Sequence, residues 1–538
     1  MCSEVFSLPE VTNEIMQNFH DDYKTLYSCI LVNRLWCRLS IPLLWENPFT
    51  FAAKRKHTID IRKRKHASNN IDIRKCQFVD IYLRNLDDDD RAKFHLINLY
   101  PSNTLFNYPS FIKCLNTYHI FLVITKYISK FGSSLYKKND QTLIYKSLFK
   151  IFNENKANLH TFELVIVQSI SQNIFDSIMQ YPNFIYNIKI LSINIHHFQF
   201  DFFLSFLSSN CNLISTIHLP FNVRSFGGSY IRNLSSRILS SHKNLKKIFL
   251  RYRDIPSLSL LSFNHSNTLK MISFFRVSFD GIVILKEVFE NLNVLESIHI
   301  LECYSINSIF IHQIININKP FKLRSLFINK IDEIDGIEPY IVLIQHSCNY
   351  LENFGFNSIS SYELKREFLE RINNYCSKIK YLALHELNDN QNIILTFDII
   401  NNNIRQNLNY ISISNDTIEH SSLILQGLGQ ILPPKLEYLD LSLVINTSDF
   451  EVFLKNSQNT FINKLLIKSD YYKPTEDDED IFTCMKKYVM EKRRFNYLGF
   501  VSRNSYYSKL KELESYNIVV QDYKDLNINY YKYIEVTY

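Results

Sequence analysis

The segments IKYLAL (residues 379–384), LNYISI (408–413) and LEYLDL (436–441) decide the reading of this chain. Each is apolar at its first, fourth and sixth positions. The last two apolar residues are two apart, so a strand would point both to one side. The same pattern recurs at Leu245–Ile248–Leu250, Leu269–Ile272–Phe274, Leu295–Ile298–Ile300, Leu323–Leu326–Ile328 and Leu351–Phe354–Phe356. Looser copies are Leu159–Phe162–Leu164, Ile188–Leu191–Ile193, Ile214–Ile217–Leu219, Ile462–Leu465–Ile467 and Phe495–Leu498–Phe500. Successive copies start about 28 residues apart. Between strands the apolar spacing turns helical, as in Phe368, Leu369, Ile372 and Tyr375. One such unit cannot bury its apolar face alone, so the units must stack.

This pattern resembles leucine-rich repeats. The resemblance implies an α/β solenoid, an arc with inner parallel strands and outer helices. Leucine-rich repeats often carry Asn or Cys eight residues after the first leucine, where the side chain satisfies turn backbone groups. Here that position holds Cys303 in one copy but Val277, Ile331, Ile359 and Val444 in others, so most turns must be satisfied differently. Phe78–Ile81–Leu83 fits the motif once, and Leu115 fits a further unit. The consecutive carboxylates Asp87 to Asp90 read as a helix start, because four on one turn cannot all face one ion. The acidic run 476–480, ahead of apolar Ile481, Phe482, Met485 and Tyr488 and basic Lys492, reads as another. Residues 518–538 are strand-like and read as a cap.

The first 45 residues have a different character. Leu8-Pro9 opens a helical pattern with Val11, Ile15 and Phe19 on one face. Asp21 and Asp22 can cap a second helix with apolar Leu26, Tyr27, Ile30 and Leu31. Val32 and Trp36 fall on one face of a third, which Pro42 should end. Three such short helices make too small a core to be very stable alone. Leu8-Pro9, Ile15, Phe19, the Val32–Trp36 pair and Leu44-Trp45 make this segment resemble an F-box. The resemblance implies docking on the Skp adaptor of a cullin–RING ubiquitin ligase through Leu8, Pro9, Ile15, Phe19, Leu31, Val32 and Trp36.

Composition narrows the rest. Only 9 glycines occur in 538 residues, which disfavours glycine-rich phosphate loops, and no GKS or GKT is present. The net charge of +7 is concentrated in residues 54–75, where KRKH and IDIRK each occur twice. That segment reads as a nuclear-import or anion-binding patch, or as a solvated loop lengthened by duplication. The balanced remainder argues against a solenoid wrapped on nucleic acid. The start lacks the pattern of a secretory leader, and no apolar run approaches the ~20 residues of a membrane span. Ten cysteines without a CxxC pair read as reduced packing residues, Cys211, Cys348 and Cys376 among them, in a cytoplasmic or nuclear compartment. Adjacent His196 and His197 lack HExxH context, and no nucleophile signature occurs. We expect no enzyme activity, no metal and no cofactor.

The inner face offers the better site. Tyr381, Tyr410 and Tyr438 precede the middle apolar residue in consecutive copies and should stack as a ladder, with strands ~4.8 Å apart. Tyr497 recurs at the same position, and Phe249, Phe275 and Phe327 place aromatics on the same face. These rings form either a strip for a protein partner or a ladder that only shields strand hydrogen bonds. The expected organisation is an F-box-like domain at 1–50, a basic linker at 51–75, degenerate first repeats at 76–158, the solenoid at 159–510 and a cap at 511–538. An F-box followed by repeats resembles F-box/leucine-rich-repeat proteins, which implies a substrate receptor of an SCF-type ligase. Its rivals are a free-standing interaction scaffold and a nuclear nucleic-acid-associated protein using residues 54–75.

Overall fold

The computed structural model describes the chain except residues 1–8, 21, 54–75, 94–103, 130–137, 167–171, 196–200, 221–235, 252–257, 259–260, 262–263, 330, 332–335, 360, 469–482, 488–493 and 502–510. The basic segment, the His196-His197 pair, the acidic run 476–480 and Leu8 therefore lie outside the described residues. The fold is α/β, with fifteen strands among the described residues that are parallel wherever their pairing is described and follow chain order. The chain divides into two compact units at residues 248 and 249.

The first unit opens with helices Pro9–Gln17, Tyr23–Ile30, Arg34–Leu44 and Pro48–Ala53. The Asp22 carboxylate caps the second, accepting from Thr25 N at 3.1 Å. Asn33 caps the third, accepting from Trp36 N at 2.9 Å. Three expectations need correction. The buried stripe of the first helix is Thr12 and Met16 rather than Val11 and Ile15, because Met16 fills the gap between Leu26, Cys29 and Leu43. Val32 sits in the turn before the third helix, not on its face. Pro42 lies inside that helix. Proline has no N–H to donate to the carbonyl of Arg38 one turn back, and Arg38 is exposed, so water can offset that loss.

Beyond these helices, Phe78–Leu83 is helical, so its apolar triplet is not a repeat strand. Tyr82 and Leu83 turn inward there, and Tyr82 packs on Trp45 at 5.4 Å and on Phe152 at 5.2 Å between ring centroids. Asp88–Ala92 is the expected helix, capped by Asp87, which accepts from Asp90 N at 2.7 Å. Strands β1 (Cys114–Asn116), β2 (Thr161–Ile166), β3 (Ile190–Ile195) and β4 (Thr216–Pro220) pair in parallel. Leu115, Phe162, Leu191 and Ile217 are in register. Glu46 O accepts from Lys113 N and Cys114 N at the start of β1, tying the helices to the first strand.

Strand β5 (Lys247–Arg251) contains the division. The second unit continues with β6 (Met271–Phe275), β7 (Ser297–Leu301), β8 (Leu323–Ile328), β9 (Asn353–Phe356) and β10 (Tyr381–His385). It ends with β11 (Tyr410–Ser414), β12 (Lys435–Ser442), β13 (Phe461–Lys468), β14 (Phe495–Phe500) and β15 (Val519–Asp522). Phe354, Leu382, Ile411, Leu439, Leu465, Leu498 and Val520 form one register row, as the repeat spacing requires. One step departs: an irregularity after Ile298 pairs Ile300 with Leu326, not with Ile328. The shift is two residues, so apolar side chains still face the helices.

The helices Tyr362–Tyr375 and Ile418–Ile431 bury Phe368, Leu369, Ile372 and Ile424, Leu425, Leu428 against the strands. Several start on a capping side chain: Asn307 accepts from Phe310 N, Ser361 from Leu364 N, Asp389 from Asn392 N and Asn446 from Asp449 N. The strand-to-helix turns solve the missing-asparagine problem in two ways. Cys303 Sγ lies 3.4 Å from Phe274 O, as its repeat position implies. Elsewhere the ladder runs on past the strand: Arg276 N donates to Leu301 O, Asn357 N to Ile328 O and Glu386 N to Ser414 O. Val277 and Ile359 are then free to be buried.

Candidate functional site

Two places could recognise a partner. The first is on the N-terminal helices. Their core is Met16, Leu26, Cys29 and Leu43, with Phe19, Trp36, Leu39 and Leu44 packed against it. Away from it, Tyr27, Leu31 and Val32 are 65%, 77% and 58% exposed. Pro9 is exposed, while Ile15, Phe19 and Trp36 are half-buried. Of the expected adaptor residues, Leu31 and Val32 thus form an apolar turn open to solvent, with Tyr27 beside them. Phe19 and Trp36 serve the small core.

The second place is the inner face of the second unit. Tyr381, Tyr410 and Tyr438 are in register on β10, β11 and β12. Their rings stack at 5.7 and 5.9 Å, the expected ladder. They are not an open strip. Tyr381 and Tyr438 are 2% and 0% exposed. The chain after β15 covers them: only residues 519–522 extend the sheet, and the rest forms helices Tyr523–Leu526 and Tyr530–Thr537. The strand-like alternation there hid a helix whose Tyr531, Tyr533 and Ile534 are buried.

This segment engages each expected ring. Tyr533 packs on Tyr381 and Tyr410 at 4.8 and 4.6 Å. Tyr530 stacks on Phe327 at 4.4 Å. Tyr531 meets Phe249 and Phe275 at 6.1 and 5.0 Å, with the Arg251 guanidinium 3.6 Å over its ring. Polar clamps fix the backbone: Tyr381 OH donates to Ile528 O at 3.2 Å, and Ile528 N donates to Tyr438 OH at 3.2 Å. Phe275 and Phe327 lie one row along from the tyrosines, since Phe275 pairs with Leu301, Leu301 with Phe327, Phe327 with Gly355 and Gly355 with Ala383. Gly355 is required there, because a Cβ would stand 2.5 Å from Ala383 O and 2.9 Å from the Phe327 ring.

Beside residues 523–530 the cover leaves a cavity of about 490 Å³. Its floor is Ser412 and Asp440, and the next row holds His385, Ser414, Ser442 and Lys468. The aromatic pattern of the repeats does not mark these residues; the polar positions two along each strand are the available signal. Tyr523 OH donates to both Asp440 oxygens at 2.8 and 3.0 Å, and Ser412 Oγ to one at 3.2 Å. Burial pushes the Asp440 carboxyl up to about 6. Burial pushes His385 down to about 4, with help from the Lys365 and Lys468 charges, and its Nδ1 lies 2.7 Å from Ser414 Oγ. The imidazole is therefore neutral near pH 7.

Among the described residues no group of His, Cys, Asp and Glu is arranged to hold a metal ion, and no helix is long and apolar enough to cross a membrane. Cys211 and Cys376 are buried, with thiols pushed up to about 12 by desolvation, whereas Cys348 is half-buried. Comparison with protein-family models and with curated proteins gives no match.

Proposed function

We propose that the chain is a non-catalytic substrate receptor of an SCF-type cullin–RING ubiquitin ligase. In this reading the N-terminal helices bind a Skp-type adaptor and the repeat units select a protein, in the cytoplasm or nucleus. The observation that carries it is the exposed apolar turn of Tyr27, Leu31 and Val32 on a helical unit with a very small core. Exposed apolar residues grouped on so small a unit suit burial against a partner. The aromatic strip does not serve as an open substrate surface, because the chain's own residues 523–538 occupy it. A free-standing scaffold is the second reading, favoured by the packing of Trp45 on Tyr82 and of Phe49 on Phe152, in the helix ahead of β2, as a cap would pack.

The test is titration of purified full-length protein with a Skp-type adaptor. Leu31→Asp with Val32→Asp should weaken binding at least tenfold, because two charges would be buried at an apolar contact. Both side chains are exposed, so the circular dichroism melt should stay in place. Equal affinity of the double variant and the parent, or no adaptor binding by the parent, would favour the scaffold.

A further inference from the structure

We propose that the cavity beside residues 523–530 is a binding site for a cationic side chain, a guanidinium or ammonium group presented by a protein partner. It deepens the substrate-receptor reading, on which only the identity of that partner rests.

Asp440 is the anchor of the site. It is 5% exposed and lies on the cavity floor. Its hydrogen-bond donors are all neutral: the Tyr523 hydroxyl, the Ser412 hydroxyl, the Asn527 amide at 3.3 Å and the Tyr438 hydroxyl at 3.5 Å. The Lys468 charge offsets part of the cost of burying a carboxylate whose hydrogen-bond donors are all neutral, and an incoming cation removes more of it. Desolvation already holds its proton affinity above that of an ordinary aspartate.

The rest of the lining has the same bias. Glu386 and Asp416 stand at the turn ends of β10 and β11 and line the cavity with Asp440. Against these three carboxyls stand two ammoniums, Lys468 in the lining and Lys365, whose charge acts on Glu386 and Asp416, while His385 is neutral, so the balance is a single negative charge. The oxygens of Ser414, Ser442 and Asn357 can accept from a guanidinium fork. A volume of about 490 Å³ holds such a side chain with water to spare, in the range of small-ligand pockets. Tyr381, Tyr523 and Tyr530 line the same cavity, so the aliphatic stem or the cation can lie against a ring. Anions are disfavoured by the three carboxyls, and a wholly apolar group would strand the polar floor.

The experiment uses the full chain and three probes: the capped tripeptide Ala-Arg-Ala, its neutral isostere Ala-citrulline-Ala, and free agmatine. Calorimetric titration at pH 7.5 should give saturable binding of the arginine peptide and at least tenfold weaker binding of the citrulline peptide. Asp440→Asn keeps an acceptor for the Tyr523 hydroxyl and should cost at least tenfold toward the arginine peptide. Agmatine weaker than the peptide identifies a partner's side chain as the source, and agmatine equal to it identifies a free amine at the same cation site. Equal binding of arginine and citrulline peptides, or no binding of either, overturns the site. So does unchanged affinity in Asp440→Asn. If that variant does not fold, the arginine-to-citrulline ratio on the parent decides alone. Adaptor binding is measured separately, so loss of the receptor reading leaves this result standing.

Discussion

His299 shows what a single inner-face position contributes. It is fully buried on β7, its Nδ1 lies 2.7 Å from Ser325 Oγ, and the Tyr538 ring is 4.6 Å away. Desolvation, with the Arg324 charge, pushes its imidazole down to about 3. The unfolded chain takes up that proton near pH 6.5, and the folded chain does so only near 3. Stability from His299 is therefore complete above 6.5 and is lost as pH falls toward 3. The loss at pH 5 is on the order of 2 kcal/mol. Urea midpoints at pH 7 and pH 5 measure it. The parent should fall further between the two than His299→Gln, which has no proton to gain. An equal fall in both would show that the imidazole titrates as if solvated.

At the scale of elements, the turns explain how a glycine-poor chain still repeats. Arg276, Glu302, Ser358 and Glu386 follow β6, β7, β9 and β10 in the left-handed region, at φ of 55°, 51°, 48° and 58°. Each costs roughly 1 kcal/mol relative to glycine. Ser358 is the cleanest probe, because it is exposed and, among the described residues, its hydroxyl makes one long contact, 3.4 Å to Asn357 Oδ1. Ser358→Gly should raise stability by up to about 1 kcal/mol, read as a later denaturant midpoint at unchanged slope. A lower midpoint would mean that the turn is not strained. Strand residues and their register were legible in sequence because a two-residue apolar spacing repeated at a near-constant period admits one parallel alignment. The slip after Ile298 was not, because a two-residue shift leaves the apolar pattern intact. In the first helix the stripe was misread by one position, because Thr12 occupies a core place that an apolar residue usually marks.

At the scale of the whole molecule, the two units can be weighed by what closes their strands. In the first, Glu46 O ties the N-terminal helices to β1. In the second, the chain after β15 turns back over its own inner face as far as Phe249 and Phe275. Sequence alone located the tyrosine ladder but not its occupant. An aromatic row reads the same whether a partner or the chain itself supplies the covering rings, and residues 530–537 alternate much as a strand would. The structure makes the two outcomes separable. Replacing Tyr381, Tyr410 and Tyr438 together with Ser removes the stacking partners of Tyr533 and the hydroxyls clamping Ile528 in place. Serine can reach neither, so the covering helix loses its seat, while Leu382, Ile411 and Leu439 still pair on the opposite face. Hydrogen exchange followed by mass spectrometry should show residues 523–538 losing protection at least tenfold more than the strand amides of β10 to β12. A uniform rise in exchange across these strands and the covering helix would instead mean that the ladder and its cover unfold as one body. The aromatic rows would then be a second core of the unit, and the cover could not be removed without it.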